Sequence, residues 1–364
     1  MRCYIILLLS FCLFCLNQIQ AQQLKPITKD SDSGSVKSIC YKGLEKEFIR
    51  YQNIEKNGGW NRIKWKKKTM QLGDSSELVK HIRKRLGITD ETNTKDTSSI
   101  FDQQLEKDII GFQTRNGLKP DGKIGIATLN ALNISVKERI LQIKVNMERC
   151  HQLPESFGDK YILVNIPAFE LIAIKKNTPV FRSKIVTGKE TDKTAIFKGT
   201  MQYVVFAPYW NIPKSIMHKE ILPAMAKHPG YLEQNNMEWF DGKIRQKPGP
   251  WNALGGVKFI FPNAYNMYMH DTPAKTLFNA ESRAFSHGCI RIEEPVKMAL
   301  FLLEDQKEWS LEKINEAMKL EKETMVVLKE KTTVHILYFT AFIDENGKLN
   351  FRKDIYGKDQ HLLY

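Results

Sequence analysis

Two histidines, a cysteine and an arginine able to do acyl chemistry fall close together, in Tyr268-Met269-His270-Asp271-Thr272 and Phe285-Ser286-His287-Gly288-Cys289-Ile290-Arg291. A thiol is a useful nucleophile at neutral pH only as thiolate, which requires a base or cation within hydrogen-bond reach. His270 lies nineteen residues before Cys289 and meets that need if the chain folds back into two adjacent segments. Gly288 removes a Cβ next to the nucleophile, so that the amides of Gly288 and Cys289 can approach a substrate carbonyl as an oxyanion hole. Arg291, two residues further on, lies on the same side as Cys289 in an extended segment and suits a carboxylate. A lone Cys with nearby His is weak evidence of catalysis. A buried structural Cys beside surface histidines is the bland alternative.

These residues need a scaffold, and the flanking sequence has the period of a β domain. Short β-rich runs at 161–166, 170–174, 180–187, 201–206 and 257–261 are punctuated by turn residues. The β signal lapses between Trp210 and Gly256, a stretch that holds a helical segment at 216–225 together with Trp239 and Trp251. Structureless connections of that length are uncommon and often prove to be lids or insertions. Helices are expected at 296–303 and 311–318, then a last strand at 334–343 and a polar tail. His335 lies in that strand pattern and reads as a solvent-facing β position.

Upstream the period changes to that of helices. Leu78, Ile82 and Leu86 recur every four residues. A second helix carries Leu105, Ile109 and Phe112, and a third carries Ile126, Leu129 and Leu132. Polar residues 89–99 form a loop, and the turn formers of Asn116–Gly122 separate the second and third helices. Val136, Ile140, Ile143 and Met147 then mark a linking helix. At the N-terminus, Arg2 precedes an apolar run at 5–16 and a small residue at Ala21, the pattern of a secretory signal with cleavage after Ala21; a retained anchor helix is the alternative. Residues 22–38 are polar and read as a flexible lead-in, followed by a helix carrying Leu44, Phe48 and Tyr51.

The chain has 364 residues and a formal charge of +14, or +13 once residues 1–21 are removed. Its length predicts two or three domains, and its apolar and aromatic content excludes disorder throughout. No second apolar run supports a polytopic membrane protein. The positive charge is spread along the chain without a nucleic-acid recognition motif, so anionic wall polymers or lipid head groups are the fitting partners for an exported protein. Beyond the signal remain Cys40, Cys150 and Cys289, none in a zinc-ligand spacing. Cys40 and Cys150 either pair or, as the simpler reading, stay buried as free thiols.

Two resemblances sharpen this reading. Phe112-Gln113, Gly117-Leu118, Pro120-Asp121-Gly122, Gly125 and Thr128-Leu129 resemble the peptidoglycan-binding type 1 domain. His270, fifteen intervening residues and then Ser286-His287-Gly288-Cys289-Ile290-Arg291 resemble the L,D-transpeptidases of the YkuD type. Segments 161–171, 208–213, 219–223, 266–273 and 338–341 are similar to the YcbB-like subgroup, although some members carry Asn where this chain has Arg291. The resemblance implies an α+β protein: a signal peptide (1–21), a lead-in and helical segment (22–70), a three-helix peptidoglycan-binding domain (71–135) and a linking helix (136–157). A mostly β catalytic domain (158–330) with a capping insertion (211–256) follows, then a C-terminal strand and tail (331–364).

It further implies Cys289 as nucleophile and His270 as base, oriented through the backbone carbonyl of Asp271. His287 and Gly288 would shape the pocket and its oxyanion hole, with Ser286, Tyr268, Asp271, Trp210 and Arg291 against substrate. The implied partners are a tetrapeptide donor and a diaminopimelate amine acceptor of peptidoglycan, in the periplasm, with no metal or organic cofactor. The rivals are an exported cysteine peptidase of the NlpC/P60 type, which places its Cys before its His, and a wall-binding protein without catalysis.

Overall fold

The computed structural model describes residues 35–64, 69–89 and 98–360. The signal segment, most of the lead-in and the greater part of the 89–99 loop lie outside the described residues. Helix α1 (Val36–Lys56) opens the structure, capped by the Ser35 side chain. It begins inside the segment read as a flexible lead-in, because Ser35 caps it and Val36, Cys40 and Leu44 bury one face.

The small module follows as α2 (Glu77–Ile88), α3 (Gln103–Arg115) and α4 (Ile126–Leu132). Val79, Ile82, Leu86, Leu105, Ile109, Phe112, Leu129 and Leu132 form its core. Its motif residues have a structural explanation. Gln113 is buried, and its amide donates to the Lys123 carbonyl at 2.8 Å and accepts from the Gly122 amide at 2.9 Å. Asp121 and Thr128 complete the same knot, which holds the turn between α3 and α4.

Helix α5 (Val136–Cys150) starts at a reciprocal capping box between Ser135 and Glu138. It packs on α1, and a disulfide joins Cys40 to Cys150 across 110 positions. The simpler reading of two free thiols is therefore corrected: α1 and α5 lie side by side with the two Cα atoms 5.7 Å apart, within disulfide reach.

The catalytic-domain strands are β1 (Lys160–Asn165), β2 (Glu170–Lys175), β3 (Thr178–Gly188) and β4 (Phe197–Phe206). Then come β5 (Trp210–Asn211), β6 (Met237–Phe240), β7 (Lys243–Gln246), β8 (Val257–Ile260) and β9 (Tyr268–His270). The last are β10 (Ala284–Ser286), β11 (Ile290–Ile292), β12 (Thr324–Leu337), β13 (Ala341–Ile343) and β14 (Leu349–Phe351). The main sheet runs β10-β3-β11-β9-β8-β4-β12-β1-β2, and a further β2–β3 pairing closes β3 through β2 into a ring with β10 at its margin. Ile162, Val164, Phe206, Phe259, Met269, Ile290 and Ile292 fill its core beneath helices at Pro295–Leu302 and Leu311–Ala317.

The single last strand expected at 334–343 is instead the end of a fourteen-residue β12 and a separate hairpin, β13–β14. That hairpin packs with α1 and α5 through Phe339, Ala341, Leu349 and Phe351. His335 does not face solvent. It is 4% exposed, stacks edge-on against Phe157, and its Nε2 has no hydrogen-bond partner. The closed sheet and the Phe157 segment cover both sides of a strand that the alternating pattern read as one-sided.

Candidate active site

Strand register assembles the site. β11 pairs in parallel with β9, Ile290 against Met269 and Arg291 against His270. Alternation then puts Tyr268 and His270 on one face beside Cys289 and Arg291, while Met269, Ile290 and Ile292 point into the core at 0% exposure. Two three-residue strands, with Cys289 immediately before the second, thus gather four reactive or charged side chains.

Burial raises the Cys289 thiol pKa, and the Tyr268 backbone N–H, the Tyr268 hydroxyl and the positive charge of Arg291 act against that rise. His270 is buried, which pushes its pKa down to about 3 with help from Arg291, against the opposing pull of the Asp271 and Leu254 carbonyls. The resting pair is accordingly a thiol and a neutral imidazole. The His270 Nδ1 lies 2.5 Å from the Asp271 carbonyl, so in the neutral ring Nδ1–H donates there and Nε2 keeps its lone pair. Among the described residues no hydrogen bond joins His270 to Cys289. Arg291 is half-buried and its Nε has no partner.

The turn carrying Cys289 is tied from within. The Ser286 hydroxyl donates to the Cys289 carbonyl at 2.5 Å and accepts from the Gly288 amide at 3.2 Å. The Gly288 amide, expected to serve an oxyanion hole, is engaged by Ser286 in this structure. Gly288 has φ +111°, a region that side chains rarely adopt, and a Cβ there would meet neighbours only at 3.9 Å. Glycine is needed at this position for backbone conformation more than for space.

A sequence profile of the YkuD family, the L,D-transpeptidase catalytic domain, matches residues 159–336. A second, for a peptidoglycan binding domain, matches residues 75–132. Residues 159–336 are thus similar to YkuD-type L,D-transpeptidase catalytic domains. A Haemophilus influenzae protein assigned by name to the L,D-transpeptidases is 29% identical over 258 residues, 65% of this chain and 51% of the relative. The chain thus spans about half the length of that curated relative. The L,D-transpeptidase of Stackebrandtia nassauensis is 15% identical, with 74% of this chain and 94% of that one covered at a TM-score of 0.31. That of Xylanimonas cellulosilytica is 13% identical, with 75% and 100% covered at a TM-score of 0.24. The assignment rests on the sequence profile and the site, not on these superpositions.

The site is also held by the insertion between β5 and β8. Residues 211–256 are a folded unit with its own core of Ile212, Ile216, Ile221, Met237 and Ile244. The Asn252 amide stitches its end to its start, donating to the Pro208 carbonyl at 2.9 Å. The Trp210 side chain neighbours the Tyr268 hydroxyl and opposes the rise that burial gives its pKa. The Gly256 amide donates to the Asp271 carboxylate at 2.9 Å, and Lys275 pairs with the same carboxylate at 2.6 Å, so that side chain braces the loop after β9.

Inside the insertion a π-turn, Met217–Ile221, carries Glu220, which meets His287 Nε2 at 2.9 Å. π-turns often mark functional positions. The His287 side chain is thus tied to the insertion. Glu220 gave no signal of its own in the sequence beyond the subgroup resemblance at 219–223. Two cavities lie elsewhere: one of about 860 Å³ along Gly58–Ile88, and one of about 1080 Å³ between the small module and the β domain. Neither is lined by Cys289 or His270, and the site is assigned on its chemistry.

Proposed function

We propose that this protein is an exported peptidoglycan L,D-transpeptidase that forms 3→3 cross-links between stem peptides through a thioester on Cys289. The observation that carries this reading is the β9–β11 register, which gathers Cys289, His270, Tyr268 and Arg291 on one face. The Cys289 sulfur attacks the carbonyl of the third residue of a donor tetrapeptide. The C–S bond forms, the amide to the terminal D-alanine breaks, and the thiol proton passes by way of His270 to the departing amine. A side-chain amine of diaminopimelate on a second stem then attacks the thioester, the C–N bond forms and the thiol is restored. The chemistry needs no ATP, because the donor amide's energy is kept in the thioester.

A His270 that is neutral across the physiological range is ready to accept that proton. Arg291, half-buried with its Nε unpartnered, supplies the charge for a donor carboxylate. The peptidoglycan-binding module supports a wall substrate. The apolar run at 5–16 and the Cys40–Cys150 disulfide support export to an oxidising compartment, the periplasm in a Gram-negative host.

The test is mass spectrometry of muropeptides after the mature protein is incubated with tetrapeptide-rich wall fragments. Dimers linked 3→3 and a thioester adduct on Cys289 are expected, and both vanish in Cys289→Ala. Dimers that persist in that variant sink the proposal. Tripeptides without dimers would make the protein a peptidase instead.

A further inference from the structure

The hydrogen bonds around Gly188, at the end of β3, reach the nucleophile's turn from outside. The Thr194 hydroxyl accepts from the Gly188 amide at 2.8 Å and donates to the Gly288 carbonyl at 2.9 Å. The Tyr356 hydroxyl accepts from the Thr194 amide at 3.2 Å and donates to the Gly188 carbonyl at 2.5 Å. Both side chains are buried, Thr194 at 1% and Tyr356 at 2% exposure. Gly188 admits this arrangement because it lacks a Cβ, which would fall 2.0 Å from the Asp192 carbonyl oxygen. Tyr356 lies twenty residues beyond the matched catalytic profile, in the tail that the sequence read only as polar. That tail is clamped in turn: Tyr338 donates to Asp354, the Tyr356 amide donates to the Tyr338 hydroxyl, and Arg149 of α5 pairs with Asp359 at 2.7 Å.

A trans peptide is planar, with its C=O and N–H pointing opposite ways. Thr194 fixes the Gly288 carbonyl, so it also fixes the direction of the Cys289 N–H on the other side of the same plane. The Gly288 amide is bound to Ser286, which leaves the Cys289 amide as the turn donor for a developing oxyanion.

We propose that Thr194, and Tyr356 behind it, are positioning residues that hold the Gly288–Cys289 peptide so that the Cys289 N–H meets the oxyanion of the acyl-transfer transition state. The inference rests on Cys289 being the nucleophile. It differs from a general packing role in what it moves: transition-state stabilisation, and neither donor binding nor thiol reactivity.

The experiment measures acylation of the full mature chain by a tetrapeptide donor, giving kcat and KM, beside alkylation of Cys289 by iodoacetamide at fixed pH. In Thr194→Val the acylation kcat is expected to fall by about ten- to a hundredfold, less than or equal to the loss of a whole oxyanion donor. KM and the alkylation rate should stay within about twofold, since neither passes through the oxyanion. Thr194→Ser keeps the hydroxyl and should recover most of the rate. Tyr356→Phe removes a single oxygen while keeping the ring in place, and should show the same kcat-only loss at smaller size. Circular dichroism confirms folding, and if the Val variant is unfolded the Phe variant decides. Unchanged kcat in the folded Val or Phe variant overturns the proposal, and so does a parallel fall in acylation and alkylation. A parent protein that alkylates at Cys289 but is never acylated by the donor would sink the transpeptidase reading itself, and the inference with it.

Discussion

A cysteine whose thiol is raised by burial and a histidine held near pKa 3 cannot rest as a thiolate–imidazolium pair at neutral pH. On the proposed mechanism His270 acts as base during attack, and this gives a residue-scale prediction. The iodoacetamide rate at Cys289 should climb with pH to an apparent pKa above that of a free thiol, about 8.5. Tyr268→Phe and Arg291→Gln should each move it higher, because each removes a group that favours the thiolate. His270→Ala should leave this profile nearly in place while lowering acylation by about 10²–10⁴-fold, the usual worth of a general base. A thiol that alkylates with a pKa near 5 would instead reveal a preformed ion pair. Much of this site was legible in the sequence, because Ser286-His287-Gly288-Cys289-Ile290-Arg291 is a contiguous run and His270 needed only one fold-back to reach it. The engagement of the Gly288 amide by Ser286, and the parts played by Thr194 and Tyr356, were not legible. They depend on carbonyl directions and on contacts across 94 and 168 positions, and a single Thr or Tyr has no pattern to betray it.

At the scale of elements, the insertion is the part the sequence located by length but could not draw. The strands β9, β10 and β11 escaped notice for a related reason: three residues carry too little alternation to read, and their partners supply the ladder. Within the insertion, Glu220 reaches His287, two residues before Cys289, while the Gly256 amide at its end holds Asp271 and Trp210 neighbours Tyr268. The Glu220–His287 contact is partly exposed, so it is worth no more than about 1 kcal/mol, a factor of about five in the population of the paired state. A cover over the thioester excludes water and favours amine attack over hydrolysis. Glu220→Ala should therefore raise the ratio of free tripeptide to cross-linked dimer by up to about fivefold, with acylation little changed. Muropeptide quantification reads both products, and an unaltered ratio would leave the insertion as a static brace.

At the scale of the molecule, stability comes from pieces far apart in sequence. The Cys40–Cys150 bridge closes a loop that contains the entire small module, so Cys40→Ser should lower stability by about 2–5 kcal/mol. Thermal unfolding with and without reductant measures this, and a parent whose midpoint ignores reductant would count against the bridge. Acid acts through other groups. His270 and His335 are buried and neutral, with pKa values lowered to about 3 and about 4, chiefly by burial and, for His335, also by Lys198, its cross-strand partner. In the unfolded chain both protonate near pH 6.5. Between those limits the unfolded state binds more protons than the native one, so stability rises with pH across the window and is lost as pH falls below about 6.5. Carboxylates held low by partners, such as Asp102 and Glu304, titrate further down in both states and leave the upper part of the window to the histidines. His335→Gln removes one of the two groups without touching the reactive face. The melting temperature of this variant should fall less steeply between pH 6.5 and 4.5 than that of the parent. An identical slope would mean that His335 takes up its proton in the folded protein as readily as in the unfolded chain, which its enclosure between Phe157 and the closed sheet opposes.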